Sequence, residues 1–495
     1  MHSFDQLTAP PAVLDGVRQG LIPAFCLFKH HNVSSLEQVR ELCLSLYAAA
    51  REGGLPPPII GIDQEGGQLI AVDCGATELP GNMALGATRS PQLAAEAGRV
   101  LGRELLALGI NMNFAPSLDV NSNPFNPGIG TRSFGDDPHL VADLGTALIE
   151  AMQAEGVLAV AKHFPGSGDT DIDSHYDLPI IRHDRDRLHA FELLPFRSAV
   201  AAGTAAIMSA HLRADALDPV HPATLSSKIL LDLLRGEMGF QGLIITDAMD
   251  MQAVARMGAE ESVRRALQAG ADLVLLANLP DQPGLTERTR PLWNQQSLAR
   301  IQAARARLRT EIPPLSLVGS AEHQAIAQRI ADASVTLTHG SLPLPADGTI
   351  AVITVQPRNL TPADSTGDVK VTLAEAVQRR RPDALALTIP READDRTITA
   401  ALEASASASI VIVGTNDAYR DPSQQQLVRQ IQQRGQRVYV VALRTPYDAA
   451  WLPFVDALLC VYSVRAVSCE AAARALFGEL IPMGKLPCSL PNVHL

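Results

Sequence analysis

Seven short apolar runs rich in Val, Ile and Leu recur along the first part of the chain: Ala24–Phe28, Pro58–Asp63, Asn111–Val120, Val157–Phe164, Ala205–Leu212, Leu243–Asp247 and Leu273–Ala277. Their hydrophobicity is continuous rather than alternating, which is what parallel strands covered on both faces require. The stretches between them, such as Ser90–Leu108 and His139–Glu155, carry Ala and Leu at helical spacing and stop near Gly109 and Gly156, as helices closed by a left-handed glycine do. The chain is repeated β-α.

Polar and charged residues follow almost every run: Lys29-His30-His31-Asn32, Asp63-Gln64-Glu65, Asp119 to Asn123, Lys162-His163, His211, Asp247 and Asn278. In a (β/α)8 barrel all strands point the same way, so these residues converge on one rim, where such barrels do their chemistry. A TIM-type barrel therefore fits better than a doubly wound sheet, although the eighth strand has no visible run. The pattern changes between Glu311-Ile312-Pro313-Pro314 and Pro343-Leu344-Pro345, around a helix-like Ala321–Val335. Beyond it Thr349–Val355, Ile410–Val413, Val438–Leu443 and Ala457–Val461 alternate with helical segments such as Pro422–Arg434, the pattern of a three-layer α/β sandwich. The expected division is a catalytic barrel over 1–315, a helix-bearing linker over 316–345 and the sandwich over 346–495.

Charge and cysteine usage narrow the partners. The 495 residues hold 41 Lys and Arg against 53 Asp and Glu, a net charge of −12 without a like-charged run. Neither a nucleic acid nor an anionic membrane surface fits such a chain, and a small substrate does. No apolar stretch approaches the roughly 20 residues that span a bilayer, and the first ten residues lack the basic start and apolar core of a secretory signal. The six cysteines, Cys26, Cys43, Cys74, Cys460, Cys469 and Cys488, show no C-x-x-C spacing and several lie in apolar runs. They read as buried free thiols in a reducing, cytoplasmic setting. Oligomeric state is not legible.

The densest polar constellation runs from Lys162 to His175, a glycine-bearing loop with three Asp and two further His at its ends, poor material for packing. Asp173 and His175 are one residue apart, so in a tight loop the carboxylate can take the imidazole Nδ1–H and leave Nε2 for a substrate, a proton shuttle near neutral pH. Asp247 ends the apolar strand Leu243–Thr246, where a carboxylate serves as nucleophile, metal ligand or N-cap of the next helix. Asp63, beside Gly66-Gly67, suits a charge-assisted grip on hydroxyls, against the alternative of an ordinary turn. Arg132 lies in a Gly-Pro loop, either as a surface salt bridge or as a fixed donor to a substrate oxygen. Asp250 reads as helix surface or support, and His30-His31 as rim.

Other chemistries are weaker. Gly128-x-Gly130 lacks the third glycine and strand-to-helix setting of a dinucleotide fingerprint. The Asp- and His-bearing loop could hold a divalent cation, but its ligands come from one loop and no strand supplies a His-x-His pair, so no metal and no cofactor is expected. Gly166-Ser167-Gly168 is too short for a nucleophile elbow.

These segments resemble the family 3 glycoside hydrolases, in their β-N-acetylhexosaminidase branch. The likeness covers nearly the whole chain: Asp63-Gln64-Glu65-Gly66-Gly67, Arg132-Ser133-Phe134-Gly135, Lys162-His163-Phe164-Pro165-Gly166, Asp173-Ser174-His175, Thr246-Asp247-Ala248-Met249, and, in the second domain, Arg444-Thr445-Pro446-Tyr447-Asp448 and Gly484-Lys485-Leu486-Pro487. The resemblance implies that Asp247 is the nucleophile of a retaining glycosidase and that His175, oriented by Asp173, is acid and then base. It also implies that Asp63, Arg132, Lys162 and His163 hold an N-acetylglucosamine ring. The implied activity is exo-acting removal of terminal N-acetylglucosamine from muropeptides or chitin oligosaccharides. A β-glucosidase or β-xylosidase of the same fold, a phosphorylase of the same family, and a silent sugar-binding protein are the alternatives.

Retaining hydrolysis usually employs two carboxyl groups about 5–5.5 Å apart, and here a histidine replaces one. A carboxylate would repel an anionic acceptor by roughly 4 kcal/mol at about 4 Å and an effective dielectric of about 20, whereas a neutral imidazole would not. Inorganic phosphate is thus expected to compete with water for the intermediate. Three positions depart from the family pattern: Gln68 and Ala71 stand where arginines are usual, and Ser167 where histidine is frequent. They affect how one side of the sugar, or an attached peptidoglycan fragment, is gripped.

Overall fold

The computed structural model describes residues 1–492. Six parallel strands form the first sheet in spatial order β1 (Ala24–Cys26), β2 (Ile59–Ile62), β3 (Met112–Asn113), β4 (Leu158–Phe164), β5 (Ala206–Ser209) and β6 (Leu243–Thr246). The seventh run, Leu273–Ala277, joins β6 through a parallel bridge between Ile245 and Leu273 rather than as a full strand. The stave without a sequence signal is the N-terminal segment. His2 bridges Phe25 in parallel, with His2 N donating to Ala24 O at 2.9 Å and Cys26 N to His2 O at 2.8 Å. On its other side Met1 N reaches Val274 O at 2.8 Å and Leu276 N reaches Met1 O at 3.1 Å. The barrel closes through Met1 and His2, too few residues to carry a periodicity.

The strands are apolar throughout because both faces are buried, but the two faces belong to different cores. Ala24, Cys26, Ile59, Met112, Leu158, Val160, Met208 and Ile245 fill the barrel interior. Phe25, Ile60, Ile62, Ala159, Ala161, Ile207 and Ile244 pack outward on the helices. Gly61 takes an inward position because a Cβ there would sit 2.5 Å from the ring of Phe114. The helices start and stop as their sequences require. Ser90 caps Pro91–Ala107 by accepting from Leu93 N, Asp137 caps Pro138–Ala154 by accepting from His139 N, and each carries proline at N1. Gly109 and Gly156 follow with φ of +81° and +97°.

The second sheet runs β7 (Thr336–Gly340), β12 (Ala457–Cys460), β11 (Arg437–Ala442), β10 (Ile410–Thr415), β8 (Ile350–Gln356) and β9 (Leu385–Pro390). It is parallel except for β7, which pairs antiparallel with β12. Separate apolar clusters cover its two faces, giving the three layers expected. β7 lies within the stretch read as linker, since five residues with Thr and His give no strand pattern until an edge partner supplies one. Edge strand β9 is exposed at four of its six residues, so burial on both faces does not mark it.

The domains share a core. Met83, Ala84 and Ala87 of barrel helix Asn82–Thr88 pack in one cluster with Tyr419, Leu427 and Tyr447 of the sandwich. The chain then returns to the barrel: Lys485 N donates to Ala87 O at 2.9 Å and Asp136 N to Pro487 O at 3.1 Å. All six cysteines are unpaired and all but Cys74 are buried. Among the described residues no helix is long and apolar enough to cross a membrane.

Candidate active site

The strand ends of the barrel surround a cavity of about 510 Å³, within the roughly 300–1,000 Å³ of small-molecule sites. Asp63, Arg132, Lys162, His163, Asp173, His175 and Asp247 all line it. Chain positions far apart thus meet on one rim.

Its base is an ion network. Lys162, 2% exposed, donates to Asp63 Oδ1 and sits beside Glu65 Oε1, each at 2.6 Å. Arg132 forks onto Glu65 through Nε at 3.0 Å and Nη2 at 2.8 Å. Arg132 is therefore no surface salt bridge: its side chain is 5% exposed and that of Glu65 1%. Burial alone would raise the Glu65 carboxyl, but Arg132 and Lys162 outweigh it and hold it down at about 2. Burial also works against the ammonium of Lys162, yet Asp63 and Glu65 raise it above its ordinary value. The cluster stays ionised.

Lys162 and His163 are consecutive, and in a regular strand would point to opposite faces. The pairing of β4 with β5 slips between Ala161 and Phe164, and both side chains reach the cavity. His163 Nδ1 bonds Asp119 Oδ2 at 2.7 Å, while Arg132 Nη2 approaches Nε2 at 3.4 Å. Arginine only donates, which places the ring proton on Nδ1. Asp119 is fully buried and also accepts from Ser117 Oγ at 2.8 Å and from Ser167 N and Oγ at 2.6 and 3.0 Å. Ser167 thus supports Asp119. Although burial opposes ionisation of Asp119, His163 and these donors hold its carboxyl well below the usual range.

Asp173 and His175 form the dyad expected. His175 Nδ1 meets Asp173 Oδ1 at 2.6 Å, and the same oxygen accepts from His175 N at 2.9 Å. One carboxylate oxygen therefore fixes both backbone and ring, and Nε2 has no protein partner among the described residues. Burial would lower the imidazole, but its bond to Asp173 and the charge of Asp247 raise it above its ordinary value. Among the described residues the Asp247 side chain, at the end of β6, accepts only from Ala248 N, at 2.8 Å. It caps no helix, since the next one, Gln252–Ala255, is preceded by Met251. Burial would raise its carboxyl; the imidazoles of His163, His211 and His175 outweigh this and lower it.

Several contributors carry no sequence signal that marks them as site residues. Glu65 and Asp119 stood in the quoted strand-end runs, but nothing in those runs says which carboxylates pair internally. His211 is buried, with Nε2 on Ala248 O and Nδ1 on Thr224 Oγ1, both at 2.9 Å, bracing the turn after Asp247. Asp250 lines the cavity and accepts from Asn278 N and Nδ2. The sandwich also contributes a wall, Pro362 to Ser365. Ser365 N donates to Gln68 O at 3.0 Å, Arg444 holds Asp364 at 2.8 Å, and the buried Arg465 reaches Gly67 O at 2.9 Å. Gln68 turns away to Thr131 and Ala363. Asn416 and Asp417 lie buried behind, Asp417 accepting from Thr445 Oγ1 at 2.7 Å. Among the described residues no group of three His, Cys, Asp or Glu side chains is arranged to hold a metal ion.

Family models for the glycosyl hydrolase family 3 N-terminal and C-terminal domains match residues 12–308 and 337–494. The chain belongs to glycoside hydrolase family 3. Beta-hexosaminidase A of Pseudoalteromonas piscicida is 31% identical, over 98% of this chain and 92% of that protein. A family 3 β-N-acetylglucosaminidase from a Paenibacillus species is 34% identical with a TM-score of 0.92, over 100% of this chain and 97% of that one. NagZ from Neisseria gonorrhoeae, solved with N-trifluoroacetyl-D-glucosamine, is 30% identical with a TM-score of 0.58, over 67% of this chain and 96% of that one. The first two family 3 relatives run through both domains.

Proposed function

We propose that the protein is a retaining, exo-acting β-N-acetylglucosaminidase. The observation that carries this reading is that Asp247 and the His175–Asp173 dyad line one cavity whose base is a saturated Asp63–Lys162–Glu65–Arg132 network. The names of the relatives, β-hexosaminidase and β-N-acetylglucosaminidase, supply the sugar. The ring sits against Asp63, Arg132, Lys162 and His163. Asp247, kept ionised by the imidazoles around it, attacks C1 while His175 Nε2–H protonates the departing glycosidic oxygen. The neutral imidazole then takes a proton from water, whose oxygen displaces Asp247 from C1 with retention. Asp173 holds the ring and stabilises its charged form, and does not itself transfer the proton.

The test is a slow activated 2-deoxy-2-fluoro or 5-fluoro sugar substrate, followed by peptide mapping. The label is expected on the peptide containing Asp247, and a label elsewhere on active enzyme would overturn the assignment. Comparing aryl N-acetylglucosaminide with aryl glucoside decides against the β-glucosidase reading if the first is preferred. The six unpaired cysteines support a reducing, cytoplasmic location, and muropeptides and chitin oligosaccharides are the two substrate classes that this reading leaves open.

A further inference from the structure

The outer part of the cavity is not explained by the sugar-holding groups at its base. Here the dyad loop presents Ile172 and Tyr176, which are 40% and 61% exposed although both line the cavity. The loop that carries them is tied down: Ala253 N donates to Ser174 O at 3.3 Å, Arg256 Nη1 to Asp177 Oδ1 at 3.0 Å, and Arg256 Nη2 to Tyr176 O at 3.4 Å. The phenol ring thus belongs to the residue after His175, on an anchored backbone, and lines the same cavity. Pro362 and Ala363 of the sandwich, both uncharged, complete the lining.

The charge of the lining is one-sided. Three permanent cations, Lys29, Arg132 and Lys162, stand against five carboxylates, Asp63, Asp173, Asp247, Asp250 and Asp364. Arg444 holds Asp364, Lys162 holds Asp63, and the His175 imidazole is committed to Asp173 and the departing oxygen, which leaves Asp247 and Asp250 without a cation of their own. Every one of the cations is already engaged. Lys29 pairs with Asp73 at 2.8 Å and Asp368 at 3.0 Å, Lys162 with Asp63 and Glu65, and Arg132 with Glu65. An incoming carboxylate would have to break one of these pairs or stay beside Asp247 and Asp250 without a permanent cation of its own, both unfavourable. A pyranose ring, by contrast, offers an apolar C–H face that an exposed aromatic ring can cover.

We infer that the aglycone subsite takes an uncharged sugar, the second β-linked N-acetylglucosamine of a chitooligosaccharide, stacked on Tyr176, and discriminates against aglycones that carry carboxylates. This rests on the N-acetylglucosaminidase reading and selects between the two substrate classes it leaves open.

The experiment measures kcat/KM of the full chain on three donors: diacetylchitobiose, an N-acetylglucosaminyl-anhydromuramyl peptide, and β-N-acetylglucosaminyl fluoride, whose leaving group is too small to reach Tyr176. Chitobiose is expected to exceed the anionic muropeptide by about tenfold or more, the scale on which one pocket contact discriminates. Tyr176→Ala should lower chitobiose turnover by about tenfold, mostly in KM, while fluoride hydrolysis stays within about twofold. Tyr176→Phe keeps the ring and should restore the wild-type value. Ile172→Lys, which puts a free cation on the same wall, should narrow the preference. The inference is overturned if the muropeptide is hydrolysed as well as or better than chitobiose, or if Tyr176→Ala depresses the fluoride as much as the disaccharide. A wild-type protein that leaves the fluoride untouched instead sinks the underlying activity, and the inference falls with it.

Discussion

Replacing Asp173 by Asn removes one charge from the dyad while keeping its shape. The Oδ1 atom of Asp173 accepts from both His175 N and His175 Nδ1, at 2.9 and 2.6 Å. An asparagine oxygen can take both bonds, so the ring keeps its orientation and tautomer. What is lost is the attraction between carboxylate and imidazolium. The His175 side chain is 27% exposed and that of Asp173 7%, so the pair is neither fully screened nor fully desolvated. A hydrogen bond to a charged group in such a setting contributes about 1.5–3 kcal/mol, which corresponds to a shift of about one to two pH units. The sign follows from the native direction. His175 is raised above its ordinary value, through Asp173 and Asp247 acting against burial, so the acid form persists above the usual imidazole range and is lost as pH rises through the raised value. In Asp173→Asn the alkaline limb of kcat/KM should move down by at least about one pH unit. At pH above the native alkaline limb, turnover of chitobiose should fall by about 10- to 100-fold, the range spanned by that shift, and by less at neutral pH, where part of the variant's imidazole still carries its proton. A p-nitrophenyl donor, whose leaving group departs without protonation, should lose much less. An alkaline limb that stays in place on chitobiose, or equal losses on the two donors, would refute the general-acid argument for His175.

Glu65→Gln tests the buried network. Glu65 is held down at about 2 from an ordinary 4.5, so its contribution is present above 4.5 and disappears as pH falls through about 2. The variant should lose on the order of 3 kcal/mol at neutral pH in urea unfolding, Lys162 keeping Asp63 as a partner. The gap to the wild type should close on acidification, and a constant gap would count against the ion-pair account. Turnover in inorganic phosphate gives a third measurement. The neutral imidazole invites an anionic acceptor, yet the lining places no unpaired permanent cation beside it. Free N-acetylglucosamine is therefore expected as the main product, and N-acetylglucosamine 1-phosphate in excess at high phosphate would reverse that expectation.

Sequence periodicity exposed the barrel where strands were long enough to write a pattern. Leu158–Phe164 and Leu243–Thr246 were readable because both faces of a parallel strand must be apolar. The closing stave at residues 1–2 and the edge strands β7 and β9 were not, because their strand character comes from partners distant in the chain. At the site, Asp173 and His175 could be paired from spacing alone, since a contact two residues apart is decided locally. The pairing of Asp119 with His163, of Glu65 with Arg132, and of the sandwich residues Asp364 and Ser365 with the barrel joins positions far apart. No local rule chooses among the many carboxylates available to each cation.

The amino-acid order by itself determined the repeated β-α units, the polar residue at each strand end and the dyad, because each depends on neighbours within a few positions. Tertiary structure alone decided which charges cancel, that Lys162 and His163 reach the same side, and that a second domain walls the cavity. Those outcomes depend on distances in space, which fix Coulomb energies and burial, and chain closure sets them only once the barrel and the sandwich have packed together.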